Sequence, residues 1–242
     1  MKDLIVVKIG GRATEQLQTD FFQQLADWQQ VGNQVLIIHG GGREITALSQ
    51  QLHVPAKKEN GIRITDLTTL ELTKMVLLGE TQPQLLTQLF KHHLPAIGLN
   101  AADHHLIVGK LLDFEKYGYV GEITAVNEEF LAPLLATQIG VLAPLALTEH
   151  EWLNVNADSA AAAIASLLQA QELYLLTDVP GVLKANQVLP TLNIAQAQRL
   201  KAAKIITTGM QPKISAAFQA ANAGVKHVRI TNQLSATGTM II

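Results

Sequence analysis

The sequence predicts an α/β protein built around a mainly parallel open sheet, and three observations carry that reading. Short β-branched runs alternate with longer stretches of helical period, the pattern of βαβ units. Two strand–glycine–helix junctions, Lys8-Ile9-Gly10-Gly11 and His39-Gly40-Gly41-Gly42, fall within the first 45 residues. The 242 residues are 48% hydrophobic and only 16% charged, against about 25% charged in an average soluble domain, which argues against disorder. A chain of this length buries about three quarters of its unfolded surface without a disulfide or metal staple.

Leu4–Ile9 reads as a first strand buried on both faces. Thr19 caps a helix running through Val31, with Phe22, Leu25 and Ala26 on one face and Gly32 as its left-handed stop. Val35–His39 is the second strand, and Gly40–Gly42 is the turn into a helix with Ile45, Leu48 and Leu52 on its core face. Lys57–Ile64 and Leu106–Val126, the latter with Tyr117-Gly118-Tyr119, read as hairpins flanking helices Asp66–Leu78 and Pro83–His92, and are expected to form a lid or rim over the sheet edge. From Leu145 the α/β rhythm returns. Trp152–Val155 is a strand, Ala157–Leu168 an alanine-rich helix, Leu173–Thr177 a strand ending at Asp178, Gln211–Ala223 a helix and Val228–Thr231 a late strand. No repeat or low-complexity linker interrupts the chain, so a lobe boundary is expected near Pro144–Trp152.

Composition excludes several kinds of chemistry. With no Cys there are no disulfides, thiolate zinc sites, iron–sulfur clusters or thiol nucleophiles. The 18 Lys and Arg against 20 Asp and Glu give a net charge of −2, with no basic tail to follow a nucleic-acid backbone. The apolar run Leu4–Val7 is broken by Lys8, too early for a signal peptide, and the longest such run, Ile139–Leu147, falls well short of the roughly 20 residues that span a bilayer. A soluble, cytoplasmic protein is expected.

In an open parallel sheet, ligands sit beyond the carboxyl ends of the strands, where helix amino termini present unpaired N–H groups. Both glycine junctions fall there. Adjacent glycines let bare N–H groups approach an oxyanion; taken singly each junction reads first as a tight turn, and it is the pair of them, one preceded by Lys8, that favours the anion site. No G-x-x-x-x-G-K-[ST] occurs, and Ile45 stands where the third glycine of G-x-G-x-x-G would be. Phosphoryl transfer of another kind needs cations and N–H groups that neutralise the transferring group. Lys8 and Lys213 are suitable cations, and Asp158 is placed to orient them. Alone, Asp158 reads as a helix cap and Arg63 as a surface ion-pair partner. His92-His93 and His104-His105 read as exposed side chains and not as a metal set, because adjacent residues point apart.

The order Lys8-Ile9-Gly10-Gly11, His39-Gly40-Gly41-Gly42, Asn60-Gly61-Ile62-Arg63, Asn154-Val155-Asn156-Ala157-Asp158, Thr177-Asp178-Val179-Pro180-Gly181 and Gly209-Met210-Gln211-Pro212-Lys213 resembles the acetylglutamate kinases of the amino acid kinase family, over nearly the whole chain. The resemblance implies a three-layer αβα sandwich in two lobes: residues 1–150 binding the amino-acid substrate and forming a homodimer, and residues 151–242 binding ATP. It also implies phosphorylation of the side-chain carboxylate of N-acetyl-L-glutamate in arginine biosynthesis. Lys8 and Lys213 become transition-state stabilisers organised by Asp158. Gly41, Gly42, Arg63 and Asn154 bind the acceptor; Gly10 and Gly11, with Asp178, Val179, Pro180, Gly181, Ile206, Thr207 and Gly209, bind the nucleotide. Mg²⁺ is expected to arrive on the ATP phosphates, with no dedicated protein metal site.

Two features depart from parts of the family. Thr208 stands where some members have an acidic residue, and the first strand begins at Leu4 without the preceding helix of arginine-inhibited members. An arginine-insensitive homodimer is therefore expected. The alternatives are a relative with a different acceptor (N-acetylaminoadipate, glutamate, carbamate or UMP) and an inert amino-acid-binding module; retention of Lys8, Asp158 and Lys213 together speaks against the second.

Overall fold

In a computed structural model, residues 3–10, 17–59, 61–206 and 209–242 are described. The chain runs β1 (Leu4–Ile9), α1 (Thr19–Gln30), β2 (Gln34–His39), α2 (Gly42–Gln51), β3 (Lys58–Glu59), β4 (Ile62–Arg63) and α3 (Leu67–Val76). A π-helical turn, Leu77–Thr81, leads directly into α4 (Gln82–Lys91). There follow β5 (Ala96–Leu99), β6 (Ile107–Leu111), α5 (Phe114–Tyr117), β7 (Gly121–Val126), α6 (Glu128–Leu135), β8 (Ile139–Leu142), β9 (Leu145–Leu147) and β10 (Trp152–Asn154). The remainder is α7 (Ala157–Leu167), β11 (Glu172–Leu176), β12 (Leu183–Lys184), β13 (Gln187–Val188), β14 (Thr191–Leu192), α8 (Ile194–Ala202), α9 (Gln211–Asn222), β15 (His227–Thr231) and β16 (Thr239–Ile241).

Eight strands form the main sheet in the order β14-β16-β15-β11-β1-β2-β8-β5. It is parallel except where β16 runs antiparallel to β15. β1 lies near its middle, and all six of its residues are buried. Because side chains alternate along a strand, Leu4 and Val6 join Leu36 and Ile38 of β2 in one core, while Ile5, Val7 and Ile9 join Val35 and Ile37 in another. The first core is closed by α7 and α9, whose Ala160, Ala161, Ala165, Ala216, Ala217 and Ala220 are small enough for the helices to lie close together. The second is closed by Phe21, Phe22 and Leu25 of α1 and by Leu85 and Leu89 of α4. Each fully buried Leu contributes about 1.5–3 kcal/mol, so both layers are held chiefly by apolar burial.

The three-layer α/β expectation holds, with local corrections. Trp152–Asn154 does not rejoin the parallel sheet. Thr148 and Glu151 close a turn that folds it back antiparallel on β9, in a separate four-stranded sheet β10-β9-β6-β7. Ile139–Leu142, read only as an apolar run, is an inner strand, and Ala96–Leu99 is an edge strand. Thr19 is the first residue of α1 and not its cap, since Gln18 precedes it and makes no side-chain capping bond. Leu52, expected in the core, lies just past α2 and is exposed. Gly32 does end the first helical segment with a positive φ of 87°.

Candidate active site

Three elements deliver three charges to one point. Lys8 projects from β1, Asp158 sits in the first turn of α7 and Lys213 in the first turn of α9. Asp158 is not the helix cap: the Asn156 side chain takes that role, accepting from the N–H groups of Asp158 and Ser159 at 3.0 and 3.2 Å. The Asp158 carboxylate is thereby left for the lysines. Its Oδ1 accepts from Lys213 Nζ at 2.7 Å and lies 2.9 Å from Lys8 Nζ. Lys213 also donates to the Leu176 carbonyl at 3.4 Å. A Cβ on Gly10 would collide with Lys8 Nζ, so the glycine provides the room in which the ammonium group turns back along the chain.

The electrostatics follow from burial and sign. Burial alone pushes the Asp158 carboxyl up, and the two ammonium groups overcome this and hold it at about 2. Burial and the nearby Lys8 lower Lys213 to about 8, against the opposing pull of Asp158. With both lysines charged the cluster carries one net positive charge, aimed at an anion.

This cluster opens on a cavity of about 280 Å³ lined also by Gly40–Gly42, Lys58, Arg63 and Asn154. Arg63, on β4, is 6% exposed. Its Nη2 donates to the Gly42 carbonyl at 2.7 Å and to Thr46 Oγ1 at 2.8 Å, while the buried Nη1 has no partner among the described residues. Asn154 Nδ2 donates to Thr65 Oγ1 at 3.0 Å, and Thr65 Oγ1 donates to the Arg63 carbonyl at 2.9 Å. Thr65 therefore ties together two residues 91 positions apart, Arg63 and Asn154. Gly41 serves packing: a Cβ there would lie 2.7 Å from Leu77 Cδ2 of the π turn.

The structure thus brings Lys8, Gly10, Gly41, Gly42, Arg63, Asn154 and Asp158 around one cavity, with Lys213 joined through Asp158. The predicted nucleotide residues are more dispersed. Asp178 lines a second cavity of about 440 Å³ beyond the carboxyl ends of β11 and β15, with Thr177, Asn232 and Gln233. Val179 and Pro180 follow in the same turn. Gly181 (φ 156°) is needed for packing, since its Cβ would lie 2.7 Å from Thr239 Oγ1. Ile206 is buried beside Ile214 between α8 and α9, and Gly209 begins the turn into α9. Gly11, Asn60, Thr207 and Thr208 lie outside the described residues.

Sequence reasoning missed Asn156, Thr65 and Lys58. Asn156, two residues before Asp158, was legible as a cap from its spacing; Thr65 and Lys58 gain meaning only from the hairpin that places them. The four histidines of the two pairs are exposed, with His92 stacked on Phe22 at 3.9 Å. Among the described residues no group of three His, Asp or Glu gathers as a metal site.

Residues 3–232 match the model of the amino acid kinase family. The chain is 54% identical to the acetylglutamate kinase of Lactiplantibacillus plantarum, over all of this chain and 98% of that one. It is 44% identical to the acetylglutamate kinase of Listeria monocytogenes, over all of this chain and 97% of the relative. A crystal structure of a Streptococcus mutans protein superposes with a TM-score of 0.94 at 39% identity, covering 100% and 99% of the two chains. At these identities over full length, the chain belongs to the amino acid kinase family and groups with its acetylglutamate kinases.

Proposed function

We propose that this chain transfers the γ-phosphoryl group of ATP to the side-chain carboxylate of N-acetyl-L-glutamate, giving N-acetyl-L-glutamyl 5-phosphate, the second step of arginine biosynthesis. The observation that carries the reading is the single Asp158 oxygen holding two buried ammonium groups at 2.7 and 2.9 Å beside a cationic cavity of about 280 Å³. Its affiliation with acetylglutamate kinases supplies the acceptor.

The chemistry follows from charge. An acceptor carboxylate is already ionised at neutral pH, so no general base is required. Its oxygen attacks the γ-phosphorus, and the bond from that phosphorus to the oxygen bridging it to the β-phosphate breaks, releasing ADP. Lys8 and Lys213 stabilise the charge that spreads over the transferring group, and Asp158 fixes both ammonium groups so that no reorganisation is needed as the charge develops. Gly10 and Gly11 add N–H groups. Gly41, Gly42, Arg63 and Asn154 hold the acceptor, with Arg63 meeting the α-carboxylate through its unpartnered Nη1 while Nη2 stays anchored to Gly42 and Thr46. His39 takes no part as a base: β2 turns it to the opposite face of the sheet from Lys8, where burial lowers it to about 4.

Asp178, Val179, Pro180, Gly181, Ile206, Thr207 and Gly209 form the nucleotide side. Mg²⁺ carried on the ATP phosphates supplies further charge neutralisation. With the Asp158 carboxylate already engaged by two lysines, the site's own donor chemistry fits a metal brought by the nucleotide.

Two lobes, residues 1–150 and 151–242, share the main sheet on this reading. The division of strands supports it: β1, β2, β5 and β8 make one half of the sheet, and β11, β14, β15 and β16 the other. A homodimer and a cytoplasmic setting rest on the same family resemblance, and no helix among the described residues is long and apolar enough to cross a membrane. The reading is tested by ADP release from ATP–Mg²⁺ with N-acetylglutamate, glutamate, N-acetylaminoadipate, carbamate and UMP as acceptors. Turnover with N-acetylglutamate is expected; turnover confined to one of the others overturns it.

A further inference from the structure

The hairpin of β3 and β4 pairs Lys58 directly opposite Arg63. Cross-strand partners of an antiparallel pair project from the same face, with Cβ atoms about 5 Å apart, and both residues line the cavity beside Asp158. Like charges so placed repel, and no carboxylate relieves them: among the described residues neither Lys58 nor Arg63 has an acidic partner. The acid of the hairpin, Glu59, projects from the other face and is engaged by Lys116 at 3.0 Å. Arg63 keeps its buried Nη1 unpartnered. The hairpin therefore carries two cations and an unsatisfied donor on its cavity face, an arrangement that costs stability when empty and is relieved by an anion.

We propose that Lys58 is a further acceptor-binding residue, sharing with Arg63 the α-carboxylate of the acceptor so that two side chains on facing strands grip one anion. The proposal rests on the acceptor reading above and extends it to a residue outside the recognised motifs. Partial burial and the Arg63 charge both lower the Lys58 pKa, as expected for a cation waiting for its counter-ion. Lys58 lies at the exposed rim and Arg63 deeper in the cavity, so the pair reads the charge from two depths. The hairpin thereby serves as a charge-reading arm separate from the lysines that face the transferring phosphoryl.

The test is titration calorimetry of the full chain with N-acetylglutamate and with its α-carboxamide analogue. Lys58→Met is expected to weaken acetylglutamate binding about tenfold, the scale of one lost charge-assisted bond. It should change affinity for the α-amide less than twofold and leave ATP affinity unchanged. Lys58→Arg, which keeps the charge, should stay within about threefold of wild type for acetylglutamate on the same scale. Equal losses on acid and amide, no loss on either, or a loss of ATP affinity each overturns the role of Lys58. Failure of the unaltered chain to bind acetylglutamate would instead overturn the acceptor reading itself, so the two failures are distinct.

Discussion

Lys213 Nζ stands 2.7 Å from Asp158 Oδ1, the same oxygen that holds Lys8 Nζ at 2.9 Å. One carboxylate oxygen thus sets the separation and direction of two cations delivered by different elements. Asp158→Asn removes the charge with little change of shape and leaves two buried ammonium groups facing each other. We expect kcat to fall by about two powers of ten or more, as for loss of a preorganised electrostatic element. Thermal or urea unfolding should show a loss of about 3–5 kcal/mol, since breaking a buried ion pair strands its partners. Wild-type turnover in that variant would remove Asp158 from its organising role.

The same cluster dictates a pH dependence. Lys213 is held near 8, well below an ordinary lysine, by burial first and by Lys8 second. A stabiliser of anionic charge must itself be protonated, so kcat/KM, which reports the free enzyme, should fall as pH rises through about 8. Lys213→Arg keeps its charge throughout this range and should lose or shift that limb while turning over more slowly. An identical limb in wild type and Lys213→Arg would assign the titration to another group.

Arg63 and Asn154 meet through Thr65, whose hydroxyl accepts from one residue and donates to the other's backbone. Thr65→Val keeps the volume and removes both bonds, leaving the half-buried Asn154 amide with one partner fewer. A rise of several-fold in KM for acetylglutamate and a stability loss of about 1–3 kcal/mol are expected, with kcat nearly unchanged. Arg63→Ala should raise that KM much more strongly, and steady-state kinetics on the two variants will rank them. The opposite ranking would make Thr65, not Arg63, the principal anchor of the acceptor.

The sequence displayed the catalytic charges more clearly than the fold that joins them. Lys8, Asp158 and Lys213 stood out because each lies at the carboxyl end of a strand or opens a helix, positions where backbone N–H groups and charges gather. Arg63 stood out with its motif, whereas Lys58 did not: its meaning depends on being Arg63's cross-strand partner, a relation set by hairpin register. Asp158 read alone as a cap, whereas Asn156 takes that role and frees the Asp158 carboxylate. Trp152–Val155 was legible as a strand but its sheet was not, because a three-residue strand has the same local pattern in a parallel or antiparallel sheet, and its turn to β9 decides which. β8 was passed over because a continuous apolar run bears no periodicity. The nucleotide side was the least legible, since its residues come from separate turns after β11 and before α9.

His39 offers a test of the scaffold independent of catalysis. It is fully buried, with Nδ1 near the Gly40 carbonyl at 3.0 Å and Nε2 unpartnered among the described residues. Burial lowers it from 6.5 to about 4, so between these values the unfolded chain binds a proton that the folded one does not. Stability should therefore rise with pH across this window and be lost as pH falls through it, by about 3 kcal/mol for this group. His39→Leu should flatten that slope in urea titrations at pH 4.5 and 6.5, roughly the limits set by this linkage. An unchanged slope would place the acid sensitivity elsewhere.

The central claim is that the chain makes an acyl phosphate on a side-chain carboxylate. Hydroxylamine traps such a species as a hydroxamate, and the direct measurement is hydroxamate formed per ADP released, with ATP–Mg²⁺ and N-acetyl-L-glutamate. Equal amounts of the two products are expected, and neither product above background when Lys8 and Lys213 are both replaced by Met. ADP release without hydroxamate, or hydroxamate formation that survives loss of both lysines, would contradict it.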